Sequence, residues 1–155
     1  MRVGIITDGN RRYGKLLGWD IEQVYKEWAN HCVRVSAWLF VNGIEYKDQI
    51  FYISSKDNMS KRREEEKEQI AKYSTEIVEM MNDDITLLMN YDYDKYKDLK
   101  IDLIIRPGKV QRLSGFPVSP YSELRFPDIY FPELSQKILE DILEDYANTE
   151  RRFGE

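Results

Sequence analysis

The chain has 155 residues, 33% of them charged and 42% hydrophobic, and a formal net charge of −5. That length and balance suit one water-soluble globular domain, expected to span 1–155. The acidic balance excludes bulk nucleic-acid binding, and no apolar run approaches membrane-spanning length, so arginines gathered in a few segments read as local anion sites.

Val3 to Thr7 is a short apolar run with the signature of a buried strand. Nothing at this start has the basic, apolar and small-residue zones of a secretory signal. A cytoplasmic protein is expected, with contact to a membrane surface left open. The run ends in Asp8-Gly9-Asn10, followed by Arg11 and Arg12. Ligands of open α/β sheets bind at that end of the strands. A glycine turn feeding a helix also presents free N–H groups and a positive dipole end to a phosphate. Asp8 is therefore read as a metal-bridging carboxylate and Arg12 as a diphosphate ligand, with Arg11 a second cation.

Residues 21 to 41 place Ile21, Val24, Trp28, Cys32, Val35 and Leu39 at helical spacing, and Asn42-Gly43 supplies a left-handed stop. Cys32 is the one cysteine, which rules out an intramolecular disulfide and fits a reducing compartment. It reads as a small core residue, and His31 as an edge-of-core one. Gln49 to Ile53 is a second strand, ending in Ser54-Ser55. Residues 59 to 82 form a long helix. Its first half, Lys61 to Glu68, reads as a solvated charged face, and its second half buries Ile70, Tyr73, Ile77, Met80 and Met81. Ile85 to Met89 and Ile101 to Ile105 are further strands, joined through a polar, tyrosine-rich segment with no obvious long helix. Residues 135 to 149 close the chain as an amphipathic helix, capped by Ser135, with Ile138, Ile142 and Tyr146 inward. Alternating strands and helices predict an α/β fold, a mainly parallel sheet covered on both faces.

A second cluster reads Asp102-Leu-Ile-Ile-Arg106-Pro-Gly108-Lys-Val-Gln-Arg112-Leu-Ser114. Again a buried strand ends in a cation and a glycine turn. Arg106, Arg112 and the Ser114 hydroxyl have the chemistry of a fork for a diphosphate.

The order Asp-Gly-Asn-x-Arg, Asn-Gly-Ile-Glu before a strand ending in Ser-Ser, Asp-Leu-Ile-Ile-Arg-x-Gly, Arg-Leu-Ser, Tyr-x-Glu-Leu-x-Phe and a terminal Glu-Arg-Arg-Phe-Gly resembles the cis-prenyltransferases. These are the undecaprenyl and dehydrodolichyl diphosphate synthases. The resemblance implies a mostly parallel sheet flanked by helices, six-stranded in typical members, usually in a homodimer. It implies a reaction: an allylic diphosphate loses diphosphate while isopentenyl diphosphate attacks the allylic carbon, leaving a cis double bond. It implies Mg²⁺ held by Asp8 and Glu123, and catalytic roles for Asp8 and Asn10. Gly9, Arg11 and Arg12 would cradle the allylic diphosphate. Arg106, Arg112 and Ser114 would bind that of isopentenyl diphosphate, and Arg152 and Gly154 would reach the neighbouring site across the dimer.

The chain departs from the family pattern in places. It is much shorter between Ser55 and Asp102, where the family builds the tunnel for the growing hydrocarbon, which implies a short product. Ile21 and Tyr25 fall where the family has an arginine and a histidine, with Lys26 nearby. Lys56-Asp57-Asn58 replaces Glu-Asn-Trp, and Lys109-Val110 replaces Gly-Glu. Two alternatives follow: transfer to a non-standard acceptor, or a non-catalytic subunit of a heteromeric enzyme.

Overall fold

The structure is a computed structural model that describes residues 1–53, 62–89, 96–108, 111–114 and 116–149. In chain order it contains β1 (Val3–Ile6), α1 (Asn10–Leu17), α2 (Ile21–Val41), β2 (Gln49–Tyr52), α3 (Glu64–Met80), β3 (Thr86–Leu88), β4 (Leu103–Ile105), β5 (Glu123–Arg125) and α4 (Gln136–Asn148). Single 3-10 turns occupy Tyr46–Asp48 and Phe131–Glu133.

The five strands form one sheet in the order β3-β2-β1-β4-β5, and every pairing is parallel. The chain leaves β1 for β2 and β3 on one side, then returns to place β4 and β5 on the other. The order therefore reverses between β1 and β4. In an open parallel sheet that reversal leaves a crevice beyond the carboxyl ends of the two strands. Asp8 lies two residues past the end of β1, and Arg106 immediately follows β4.

Strand residues alternate between two apolar clusters, as the pleat demands. Val3, Ile5, Phe51, Leu103 and Ile105 face the cluster built with α2, α3 and α4. Ile6, Ile50, Tyr52 and Ile104 face a smaller one with Leu88, Ile101 and Phe116, packed by Tyr96, Leu99, Leu113 and Val118. Gly4 is what lets Phe116 lie on the sheet, because a Cβ at Gly4 would stand 2.6 Å from the ring.

The helix over 21–41 and its Gly43 stop (φ 88°) are as expected, with Asp20 capping through a bond from the Gln23 amide. Ser135 caps α4 by accepting from Ile138 N at 3.2 Å, although the fully buried side chain there is Leu139. Four expectations need correcting. α3 begins at Glu64 rather than near 59, because Arg63 has extended dihedrals. The charged first half of that helix is not wholly solvated, since Glu66 is buried. Met80 is exposed, and the stripe passes instead to Met81, which is buried. His31 lies inside the core rather than at its edge. Its Nε2–H donates to the Leu134 carbonyl at 2.8 Å and its Nδ1 accepts from Arg34 Nε at 3.1 Å. Burial, followed by the charge of Arg34, pushes the imidazole down to about 4, so it stays neutral. Cys32 is the buried core thiol expected, its pKa raised by burial.

Candidate functional site

The crevice at the β1/β4 reversal is a cleft of about 370 Å³. Its first wall is the turn out of β1. Gly9 has a φ of 95°, and a Cβ there would stand 2.7 Å from the Tyr130 ring. Only glycine satisfies both the left-handed dihedral and the close approach. The turn is held by Phe131 N, which donates to the Asp8 carbonyl at 2.9 Å, and by Asn10 Nδ2, which donates to the Thr7 carbonyl at 2.7 Å. Asn10 Oδ1 is buried without a hydrogen-bond partner.

α1 starts at Asn10 with no acidic residue in its first turn. Arg11 and Arg12 stand there instead, where the positive dipole end disfavours cations. The carboxylates of Asp8 and Glu66, paired with Arg12 and Arg11, offset that cost in part. Arg12 Nη2 pairs with Asp8 Oδ2 at 3.2 Å, and its guanidinium lies 5.6 Å from the Tyr130 ring centroid, a cation–π contact that orients it.

β4 supplies the second wall. Arg106 is 5% exposed, and its Nη2 reaches the same Asp8 Oδ2 at 3.2 Å. Its Nη1 donates to Ser114 Oγ at 3.0 Å and to the Arg112 carbonyl, while Nε is buried and unpartnered. Gly108, with a φ of 118°, closes against the carboxylate, so that a Cβ there would be 3.2 Å from Asp8 Oδ2. Asp8, Arg12, Arg106, Gly108 and Ser114 are thus brought together from segments a hundred residues apart.

The third wall was not read from the sequence. Glu66 of α3 bonds Arg11 Nη1 at 2.8 Å and Arg62 Nη1 at 3.3 Å, and Arg62 also donates to Tyr25 Oη at 3.3 Å. Burial raises the Tyr25 pKa, so the phenol is neutral. Lys15 lines the cleft as well, and its spacing of three from Arg12 was a legible signal. Lys26 is exposed and lies outside the lining. At the base, Trp28 Nε1 donates to Thr7 Oγ1 at 2.9 Å. Among the described residues six cations (Arg11, Arg12, Lys15, Arg62, Arg106 and Arg112) line the cleft against two carboxylates, Asp8 in the lining and Glu66 paired with Arg11 and Arg62. On a chain of net charge −5, that local excess describes an anion site.

Glu123 does not join this cluster. The register sets it opposite Leu103, at the amino end of the strands, and its carboxylate bonds Arg125 Nη2 at 3.1 Å. Among the described residues no group of three His, Cys, Asp or Glu side chains is placed to hold a metal ion. Arg152, Gly154, Lys56-Asp57-Asn58 and Lys109-Val110 lie outside the described residues. No described helix is long and apolar enough to cross a membrane.

Comparison with known proteins agrees with this geometry. The prenyltransferase (undecaprenyl diphosphate synthase) family model matches residues 86–154. A ditrans,polycis-undecaprenyl-diphosphate synthase of Xylella fastidiosa is 44% identical over 55 residues, 34% of this chain and 22% of that protein. An isoprenyl transferase of Clostridium tetani is 40% identical over 79 residues, 50% of this chain and 30% of that protein. The matched segments thus span less than a third of these relatives' own lengths. The crystal structure of lavandulyl diphosphate synthase from Lavandula x intermedia, in complex with dimethylallyl diphosphate, shares the fold. It has a TM-score of 0.84 at 17% identity and covers 99% of this chain and 98% of that one. Over these segments the chain is similar to the undecaprenyl diphosphate synthases and isoprenyl transferases, and as a whole it shares the fold of a cis-prenyltransferase structure.

Proposed function

We propose that the protein is a prenyl diphosphate synthase, which transfers the prenyl group of a short allylic diphosphate to isopentenyl diphosphate in the cleft at the β1/β4 reversal. The observation that carries this is the excess of cations around Asp8 at the switch point of a prenyltransferase fold. Departure of diphosphate builds negative charge, and donors fixed beforehand stabilise it as it develops. Arg12 and Arg11 meet the leaving diphosphate at the start of α1. Arg106, oriented by Ser114 and the Arg112 carbonyl, and Arg112 hold the second diphosphate. Asn10 offers its unpartnered Oδ1 to the reacting groups.

Mg²⁺ takes one or two carboxylates plus phosphate oxygens and water. The donor set fits such an ion only as one shared with substrate, because among the described residues Asp8 is the one carboxylate in the cleft lining. Asp8 would hold it, and it would supply charge stabilisation to the leaving diphosphate. Homodimerisation, contact with a membrane surface and a site completed by Arg152 and Gly154 belong to the same reading, through the family.

Dimethylallyl diphosphate in the lavandulyl diphosphate synthase structure favours a five-carbon donor. Asp8 in the cleft speaks against a purely supporting subunit, which has no need of a metal carboxylate. The test is a product assay with Mg²⁺, radiolabelled isopentenyl diphosphate and C5 to C20 allylic diphosphates. A second allylic diphosphate offered as acceptor probes the alternative transfer. A chain-elongated product that disappears in Asp8→Ala is expected. Equal turnover in that variant would refute the reading.

A further inference from the structure

Resting on the prenyl diphosphate synthase reading, we propose that Trp28 is the stop that sets donor length, so that the cleft takes a five-carbon allylic diphosphate in preference to ten- and fifteen-carbon ones. Among the described residues the apolar wall of the cleft consists of Tyr25 and Trp28 from α2 and Ile70 from α3. It begins one residue from the metal carboxylate, because the Trp28 indole bonds to Thr7, the neighbour of Asp8. A tail leaving the diphosphate site toward the core must therefore enter between α2 and α3, over Trp28.

That seam is closed below. Cys32 and Val35 on the next turns of α2, and Tyr73 and Ile77 on α3, are each at most 4% exposed and belong to one continuous core cluster. Trp28 itself is 3% exposed and pinned twice. Its N–H donates to the Thr7 hydroxyl, which donates onward to the Tyr52 carbonyl at 3.2 Å. Its ring meets Tyr25 edge-on, with centroids 5.8 Å apart and an interplanar angle of 87°. Rotating it aside breaks the hydrogen bond and opens the core, so the floor is fixed. An apolar pocket with a fixed floor rejects added carbons by overlap.

The test titrates inorganic diphosphate and the unreactive S-thiolodiphosphate analogues of the C5, C10 and C15 donors into the full chain with Mg²⁺, by calorimetry. The wild type should bind the C5 analogue about tenfold or more tighter than the C15 one. Trp28→Ala should remove that preference. Trp28→Leu repeats the opening with a smaller loss of packing, and Trp28→Phe should keep the wild-type order. If the wild type binds C15 as tightly as C5, or if both opened variants keep the C5 preference, the proposal is overturned while diphosphate binding preserves the enzyme reading. If neither diphosphate nor any analogue binds, the enzyme reading fails, and this inference with it.

Discussion

Two arginines stand side by side in the sheet and live in opposite electrostatic settings. Arg125 ends β5, and its carbonyl accepts from Arg106 N at 2.9 Å, so the two backbones touch. The Arg125 guanidinium is neutralised by two carboxylates, Glu123 at 3.1 Å and Asp145 at 3.0 Å. Arg106 shares the single carboxylate of Asp8 with Arg12, and four further cations line the same cleft, two of them paired with Glu66. Residue type is the same in both places. The imbalance of charge separates a site waiting for an anion from a structural ion pair of the kind that contributes little.

The comparison is broken most forcefully at Asp8. Asp8→Asn keeps the shape and removes the charge, and should lower turnover about a thousandfold or more in a steady-state assay. Arg106→Lys comes next. It keeps the charge but loses the fork that spans Asp8, Ser114 and the Arg112 carbonyl, and should raise the KM for isopentenyl diphosphate about a hundredfold. A buried histidine sharpens the contrast from the other side, because His31 is kept uncharged. Its pKa in the folded protein, about 4, lies below the ordinary 6.5, so between those values the unfolded chain binds the extra proton. Stability should therefore fall as pH drops through that window, by about 2 kcal/mol between pH 6.5 and 5. Urea midpoints of the wild type should show this fall, and those of His31→Gln should follow a flatter pH profile. The smallest effect is expected at the balanced pair. Glu123→Gln leaves Arg125 with Asp145, and should change stability by about 1 kcal/mol or less in a melting curve, with a far smaller loss of turnover than Asp8→Asn.

Most of the sheet was legible because Val3–Ile6, Gln49–Tyr52 and Leu103–Ile105 are apolar runs bounded by turn residues. β5 was not, since Glu123-Leu124-Arg125 carries one apolar side chain and earns its strand from pairing with β4. Asp8 and Arg106 were legible as cations and carboxylates placed after strands. Their meeting depends on the topology, which sets β4 beside β1. Glu66 was hidden by its setting. In a run of charges it reads as solvated, and its burial is decided by Arg11, 55 residues away. Trp28 read as ordinary core because helical spacing reports a face and does not report that the face ends at a cleft. Glu123 shows the converse: a motif position carried over from a family, set by this chain's register at the other end of the strand.

The measurement that tests the central claim most directly is a calorimetric titration of inorganic diphosphate into the wild type and Arg106→Ala, at two salt concentrations. The account predicts binding by the wild type that salt weakens, with the site held by Arg106 weakened at least about tenfold in the variant. No binding by the wild type, or equal affinity in the variant, would contradict the assignment of the β1/β4 cleft as the diphosphate site.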